Sequence, residues 1–322
     1  MPERKRVEIV VPGDDPLMID GSPHLERLAP YGDVVLYRDR PGRVAEKVER
    51  AKHADILMNT RGAVTWGDEE FEQLPKLRMI TSCSIGTDMF DLEAAAARGI
   101  VICNQPGRTA SVVAEHMFGL MFAAARRVAY LTAEMKAGRW PRIDLIMLQK
   151  KVLGIVGTGN IGAEMARLGR AVGMEVIAWT YNPSPQRAEA LGVRFVGLDE
   201  LLQTADVVSI HVQLTGESRG LIGKREFGLM KQGALLLNGA RGPIVDSDAL
   251  VEALNSGHLG GVGIDVYDEE PIPTDHPLLS CEQVVLTPHC ADMTPEGVDL
   301  LNGGAVDNVI AFLEGRPQHV VS

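Results

Sequence analysis

Three side chains with complementary acid–base chemistry occur in the second half of the chain, each soon after an apolar run. Arg241 lies in Asn-Gly-Ala-Arg-Gly, Glu270 in Asp-Val-Tyr-Asp-Glu-Glu-Pro, and His289 in Thr-Pro-His-Cys-Ala. A guanidinium can bind a carboxylate through two parallel hydrogen bonds, and a histidine exchanges a proton near neutral pH. A carboxylate bonded to that histidine favours its charged form and fixes its tautomer. The three residue types therefore suit a site for a small acid whose reaction moves a proton.

A glycine-rich segment predicts the binding of a dinucleotide. An apolar strand-like run leads directly into Gly157, Gly159 and Gly162, and a helix-like stretch follows. In this context the first glycine permits a tight turn, the second lets a pyrophosphate approach the backbone, and the third lets the helix pack close to the strand. Asn160 and Ile161 lie between the glycines, where N–H groups at a helix start face the phosphates.

Strand and helix patterns alternate along the chain, which indicates an α/β fold with parallel sheets. In the second half the predicted strands cover residues 152–156, 176–179, 194–196, 207–211, 234–238, 262–265 and 284–287. Ligands of an open parallel sheet bind beyond the carboxyl ends of its strands. The glycine loop and the three residues Arg241, Glu270 and His289 (the trio) should therefore lie at one edge of the sheet. The combination suits hydride transfer between a nicotinamide and a carbon that bears an oxygen.

The first half repeats the α/β rhythm, with predicted strands at residues 7–11, 34–37, 56–59, 77–82 and 100–103. Residues 294–312 are predicted to form a helix that packs against this first half. We therefore predict two Rossmann-like, doubly wound parallel-sheet domains, of which the smaller is discontinuous. Residues 1–103 plus 291–322 would form the substrate domain, and residues 104–290 the dinucleotide-binding domain.

Composition excludes several classes of function. The net charge of −11 over 322 residues argues against a nucleic-acid partner. The apolar stretch near the N-terminus is too short for a signal sequence, and the apolar run at residues 116–125 is predicted to be a buried core helix and not a membrane span. The four cysteines show no metal-ligand spacing and no disulfide framework. We expect a cytoplasmic protein without a metal or a membrane partner.

Several ordered motifs resemble the D-isomer-specific 2-hydroxyacid dehydrogenase family. They are Ser-Ile-Gly-Thr-Asp at residues 84–88, Val-Ala-Glu-His at residues 113–116, the glycine loop and the three segments of the trio. The resemblance implies an NAD(P)-dependent oxidoreductase for a D-2-hydroxy acid or its 2-keto acid, of the glyoxylate, hydroxypyruvate or 3-phosphoglycerate type. It implies that His289 is the acid–base group, Glu270 its partner, and Arg241 the group that binds the substrate carboxylate and carbonyl.

The resemblance implies further contacts. The backbone around Ile85 and Gly86 would bind the substrate carboxylate from the smaller domain, and Asp265 would hold the nicotinamide carboxamide. A homodimer would form through residues 116–140. The expected cofactor-contacting loops also contain His211, Val212, Thr215 and Ala240.

The sequence departs from the family at the expected ribose site. Thr180 stands where NAD-specific members usually carry aspartate, so no carboxylate is available there to repel a 2′-phosphate. Tyr181 and Asn182 offer neutral donors, and Arg187 comes only later. The choice between NAD and NADP stays open, with NAD slightly favoured. A second departure is Cys290, where a small or apolar residue is more usual.

Other assignments also stay open. Arg61 follows a predicted strand, so it either reaches an anionic group of the substrate or lies on the surface. Trp140 either crosses a dimer to the neighbouring site or packs within its own arm, and the apolar run at residues 145–148 is predicted to be core. The alternative function is a dinucleotide-sensing binding protein similar to the transcriptional corepressors of this fold. A formate or phosphite dehydrogenase is disfavoured, because the Gln-Pro-x-x-His segment of formate enzymes is missing.

Overall fold

The computed structural model describes residues 6–62 and 64–322, which form two compact units. One unit comprises Met1–Thr109 and Met293–Ser322, and the other comprises Ala110–Asp292. The limits of these units lie a few residues beyond those predicted from the sequence. The segment before residue 110 stays with the first unit because the Asn104 side chain donates to the Ile85 carbonyl, and that of Gln105 donates to the Ser82 carbonyl.

The first unit contains a five-stranded parallel sheet in the order β2-β1-β3-β4-β5. Buried apolar side chains alternate to both faces of its central strands, and helices cover them. The strands are β1 (Val7–Val11), β2 (Gly32–Leu36), β3 (Ile56–Thr60), β4 (Met79–Cys83) and β5 (Val101–Cys103). The helices are α1 (Val44–Ala51), α2 (Asp68–Glu72), α3 (Leu92–Ala97) and the C-terminal α11 (Pro295–Leu313), with a short 3₁₀ helix at Pro23–Leu28.

The second unit contains a seven-stranded parallel sheet in the order β12-β11-β10-β9-β6-β7-β8. Its strands are β6 (Val152–Val156), β7 (Glu175–Trp179), β8 (Arg194–Phe195), β9 (Val207–Ile210), β10 (Ala234–Asn238), β11 (Leu259–Ile264) and β12 (Val284–Leu286). Strand order reverses between β6 and β9, so a ligand-binding crevice is expected there. The glycine-rich segment directly follows β6.

The helices of the second unit pack on this sheet or on one another. They are α4 (Ala110–Ala125), α5 (Val128–Lys136), α6 (Asn160–Ala171), α7 (Pro185–Leu191), α8 (Leu198–Thr204), α9 (Lys224–Leu229) and α10 (Ser247–Asn255), with 3₁₀ turns at Gly242–Ile244 and Pro277–Ser280. Helix α4 buries Met117, Leu120 and Met121 against the sheet, as a core helix should. Over the described residues, none of the helices has both the length and the apolar character that a bilayer span requires.

The predicted fold class of two doubly wound parallel-sheet domains is confirmed. Strand positions agree within a few residues, because apolar runs bounded by turn residues mark buried parallel strands clearly. The helices at Asp68–Glu72, Val128–Lys136 and Pro185–Leu191 were missed. Each is short and carries few or no buried side chains, so it leaves little apolar periodicity in the sequence.

Candidate active site

The glycine loop after β6 has the shape that a pyrophosphate needs. Gly157 has a φ of 97°, and a Cβ there would lie 2.7 Å from the Val212 nitrogen. A Cβ on Gly162 would lie 2.0 Å from the Gly157 carbonyl oxygen, so only glycine allows the helix to approach so closely. A Cβ on Gly159 would meet no atom within 4 Å, because the loop is open at this position. These glycines fit a dinucleotide.

The N-terminus of α6 faces out of the same loop. Gly159 is the N-cap residue, and Asn160 and Ile161 begin the helix. Glycine has no side chain with which to occupy the N–H groups of the first turn. The helix dipole and these N–H groups together favour an anion such as a phosphate.

The residues expected at the adenosine ribose follow β7. Thr180 is partly exposed, and Asn182 is exposed. The Tyr181 ring packs edge-on against Trp179, with ring centroids 4.8 Å apart, and stays 43% exposed. The Thr180, Tyr181 and Asn182 side chains thus offer hydroxyl and amide groups to a ribose.

Arg187 contacts the glycine loop, which its place in the sequence does not suggest. Ser184 caps α7 by accepting the Arg187 N–H at 3.2 Å, and the first turn of α7 directs the guanidinium toward the glycine loop. There Nη2 of Arg187 donates to the Thr158 carbonyl oxygen at 2.5 Å. The sequence interpretation missed this proximity because it did not predict α7.

The loop after β9 holds three further predicted cofactor contacts. Nε2 of His211 lies 2.8 Å from the Ser209 hydroxyl, and burial lowers the pKa of His211 to about 3, so its ring is neutral at physiological pH. Val212 is buried beneath the glycine loop. The Thr215 N–H donates to the Ser218 hydroxyl at 2.8 Å. The loop is thus braced by its own side chains.

Asn238, at the end of β10, fixes the loop that carries the arginine of the trio. Its Oδ1 accepts the Ala240 N–H at 3.1 Å, and its Nδ2 donates to the Arg241 carbonyl at 3.0 Å. The Arg241 guanidinium donates to the Ala240 carbonyl at 2.7 Å. The sequence interpretation did not give Asn238 a role, although asparagine often bonds to its own loop backbone.

Asp265, after β11, is 1% exposed and organises the loop that follows β12. Its Oδ1 accepts the Thr287 hydroxyl at 2.6 Å and the Cys290 N–H at 2.9 Å, and its Oδ2 accepts the Ala291 N–H at 3.0 Å. Burial by itself raises the pKa of Asp265, but these donors and the neighbouring His116 outweigh it and lower the pKa below its usual value. Asp265 is therefore a carboxylate at neutral pH.

Glu270 and His289, which the resemblance pairs, are in direct contact. Oε2 of Glu270 lies 2.7 Å from Nδ1 of His289, and Oε1 accepts the Tyr267 N–H at 3.0 Å. Partial burial opposes ionisation of Glu270, yet His289, the Tyr267 N–H and the positive charge of Arg241 lower its pKa. His289 has a φ of 50°, an uncommon backbone conformation for a non-glycine residue that is found preferentially at functional sites.

Two contacts that the sequence did not reveal join the three loops of the trio. A Cβ on Gly242 would lie 2.1 Å from the Tyr267 carbonyl carbon, so the backbones after β10 and β11 touch. The Tyr267 hydroxyl donates to the Thr287 carbonyl at 2.8 Å, which connects the loops after β11 and β12. Burial, as the main cause, raises the pKa of Tyr267 to about 12, so this donor keeps its proton.

The residues expected to bind substrate from the other unit follow neighbouring strands there. Arg61 follows β3 with a φ of 41°, and Ile85 and Gly86 follow β4. The Ile85 carbonyl accepts from Asn104 at 2.8 Å, and the Gly86 carbonyl accepts from Ser84 at 3.1 Å. The three predicted residues thus lie at the carboxyl edge of the five-stranded sheet.

A glycine loop at the point where strand order reverses, with acid–base side chains at the same edge of the sheet, is typical of dinucleotide-binding α/β proteins. Residues 118–291 match the family model described as D-isomer specific 2-hydroxyacid dehydrogenase, NAD binding domain. The chain belongs to the D-isomer-specific 2-hydroxyacid dehydrogenase family, and its cofactor is a nicotinamide dinucleotide.

Similar proteins carry related names. A glyoxylate reductase of Korarchaeum cryptofilum (strain OPF8) is 36% identical over 306 residues, which are 92% of each chain. A D-3-phosphoglycerate dehydrogenase of Archaeoglobus fulgidus is 40% identical over 274 residues, 84% of this chain, but this chain spans only about half (51%) of that protein. The crystal structure of a glyoxylate reductase from Paecilomyes thermophila superposes with a TM-score of 0.89 at 29% identity, covering 100% of this chain and 99% of that one.

The contact between Gly242 and Tyr267 predicts the effect of adding one methyl group. Gly242→Ala places a Cβ 2.1 Å from backbone that cannot move independently, so we expect a loss of about 3 kcal/mol in the free energy of unfolding. Thermal unfolding followed by circular dichroism measures it. The control is Gly228→Ala within α9, where a Cβ meets nothing within 4 Å, and the midpoint should stay the same or rise. Equal midpoints for the two variants would contradict the close contact.

Proposed function

We propose that the chain is an NAD(P)-dependent D-2-hydroxyacid dehydrogenase that interconverts a small D-2-hydroxy acid and its 2-keto acid. The observation that carries the proposal is the 2.7 Å contact between Glu270 and His289, at the sheet edge that holds the glycine loop. The names of the relatives, which are reductases and dehydrogenases, support this activity over the dinucleotide-sensing binding protein.

His289 is the proposed acid–base residue. Because its Nδ1 is bonded to Glu270, the proton exchanged with the substrate is carried at Nε2. During reduction the charged ring donates this proton to the keto oxygen, and the Glu270 carboxylate stabilises the charged ring beforehand. When bound, the nicotinamide supplies or accepts the hydride. Microscopic reversibility gives His289 the role of base in the oxidation.

Arg241 is the proposed substrate anchor. The Asn238 side chain holds its loop by donating to the Arg241 carbonyl and accepting the Ala240 N–H, and a bond to the Ala240 carbonyl orients the guanidinium. A guanidinium held in this way can bind the substrate carboxylate and polarise the keto oxygen. We propose Ile85 and Gly86 as backbone contacts to the carboxylate. Arg61 is proposed for a second anionic group in a substrate of the 3-phosphoglycerate type.

The activity and the role of His289 can be tested together. A panel of glyoxylate, hydroxypyruvate and 3-phosphohydroxypyruvate, followed at the nicotinamide absorbance with NADH and NADPH, should show turnover. His289→Ala should lower kcat by about a hundredfold or more while cofactor binding persists. His53→Ala, which changes an exposed histidine of the other unit, is the matched control and should leave kcat unchanged. Near wild-type kcat in His289→Ala would exclude the assignment, and no turnover on any acid would favour the binding protein.

We propose that the protein accepts both NAD and NADP. Thr180 brings no charge that would repel a 2′-phosphate, and Tyr181 and Asn182 can bond to ribose hydroxyls. The Arg187 guanidinium beside Thr158 supplies a positive charge near the expected ribose position. A phosphate would gain a charge-assisted contact there, whereas NAD loses only the carboxylate that usually holds its ribose.

The two kcat/KM values should therefore lie within about a hundredfold of each other, since a contact to a charged group is worth about 1.5–3 kcal/mol. Thr180→Asp should shift the preference toward NAD, and Arg187→Ala should lower kcat/KM for NADPH by about tenfold or more with a smaller effect on NADH. Arg225→Ala, on an exposed arginine of α9, is the control. A wild-type preference of many thousandfold for either cofactor would contradict the proposal.

We propose a homodimer that involves residues 116–140. Helix α5 has no buried residue, and Val128 and Met135 on it are 50% and 53% exposed. Trp140 is 73% exposed. In the apolar run at residues 145–148, which was expected to be core, Leu148 is buried but Leu145 and Met147 are 41% and 62% exposed. Exposed apolar side chains this closely grouped are typical of a protein–protein interface.

Light scattering after size exclusion tests the dimer. The wild type should have twice the chain mass of 34.8 kDa, and Met135→Glu combined with Trp140→Glu should shift it to the single-chain mass because two charges would be buried without partners. Leu17→Glu changes a side chain that is 58% exposed on the other unit and should not alter the mass. A wild type that is monomeric at micromolar concentration would refute the dimer.

A further inference from the structure

Three side chains with metal-binding atoms converge beside the loop of the proposed acid–base histidine. His116 lies on α4, Asp265 follows β11 and Cys290 follows β12, and one ligand atom from each lies within 4.8 Å of the other two. The sequence interpretation expected no metal because none of the four cysteines is paired at metal-ligand spacing.

The distances suit one small ion. In a tetrahedral zinc site with bonds of about 2.0–2.3 Å, neighbouring ligand atoms lie about 3.3–3.8 Å apart. Nε2 of His116 lies 3.6 Å from Oδ1 of Asp265, which falls within that range. The Cys290 sulfur lies within 4.8 Å of one ligand atom of His116 and one of Asp265, so a movement of about 1 Å completes the set.

We propose that His116, Asp265 and Cys290 form a binding site for Zn²⁺. A thiolate and an imidazole select zinc over Mg²⁺ or Ca²⁺, which require oxygen ligands. Three protein ligands leave the fourth position for water. On binding, the Cys290 thiol loses its proton to solvent and the sulfur bonds to the ion.

The surroundings support the site. Asp265 is buried and its Oδ2 stays bonded to the Ala291 N–H, which orients Oδ1 toward the ion as an outer-shell contact does. The ion would replace the Thr287 hydroxyl, which now lies 3.0 Å from Nε2 of His116 and 2.6 Å from Oδ1 of Asp265. His116 and Cys290 are partly exposed, so an ion can enter from solvent.

The expected consequence is inhibition, which rests on the proposed function. Zinc would bind the carboxylate of Asp265, which is also the proposed hydrogen-bond partner of the nicotinamide carboxamide. It would also hold Cys290, the neighbour of His289, and so restrain the acid–base loop. Zinc and cofactor should therefore exclude one another.

Cobalt tests the site without any measurement of turnover. Co²⁺ added to the metal-free protein should bind one ion per chain and give a thiolate-to-cobalt charge-transfer band in the near ultraviolet. Cys290→Ala and Cys290→Ser should both lose the band. Cys281→Ala removes the other partly exposed thiol and should keep it. Absence of the band in the wild type, or its persistence in Cys290→Ala, would overturn the proposal.

Inhibition supplies a second test that separates this proposal from the proposed function. Zn²⁺ should inhibit the wild type competitively with the cofactor. The Zn²⁺ concentration that gives half inhibition should be at least about tenfold higher for Cys290→Ala. Turnover without metal together with no cobalt band would refute the zinc site alone. A cobalt band together with no turnover on any 2-keto acid would refute the proposed function alone. Equal inhibition of the two proteins would exclude Cys290 as a ligand.

Discussion

A carboxylate with 1% of its surface exposed, that of Asp265, accepts two backbone N–H groups and one hydroxyl at the carboxyl edge of the seven-stranded sheet. An ionised group this deeply buried is tolerated only when its oxygens are bonded. The loop after β12 must therefore present the N–H groups of Cys290 and Ala291 to it. This requirement determines where the loop turns, and so where His289 lies against Glu270.

The backbone of His289 reflects the same constraint. Its φ of 50° is unfavourable for a residue with a Cβ and persists only where the surroundings over-determine the conformation. On one side Asp265 holds the next two residues, and on the other Glu270 holds the ring. Local strain at one residue is thus balanced by hydrogen bonds that also orient the imidazole.

Close backbone approach joins this loop to the rest of the site. Gly242 lies against Tyr267, and the Tyr267 hydroxyl bonds to the Thr287 carbonyl. The loops after β10, β11 and β12 are therefore joined by direct contacts. At the expected ribose site Thr180 is neutral, and a positive charge comes from Arg187, which lies on a separate helix and donates to the Thr158 carbonyl. Several hydrogen bonds fix the loops of the acid–base residues, whereas this arginine contacts the glycine loop from a helix that is not part of either loop.

The sequence by itself determined the class of fold, the glycine loop and the three segments that contain Arg241, Glu270 and His289. Apolar runs alternate with helical periods, and in a parallel sheet every residue after a strand reaches the same edge. Only the tertiary structure decided that Arg187 donates to Thr158 and that Gly242 contacts Tyr267. It also decided that His116, Asp265 and Cys290 lie close together. Such contacts join residues that are distant in the chain. They depend on strand order and on the turn of a short helix, neither of which leaves a local pattern in the sequence.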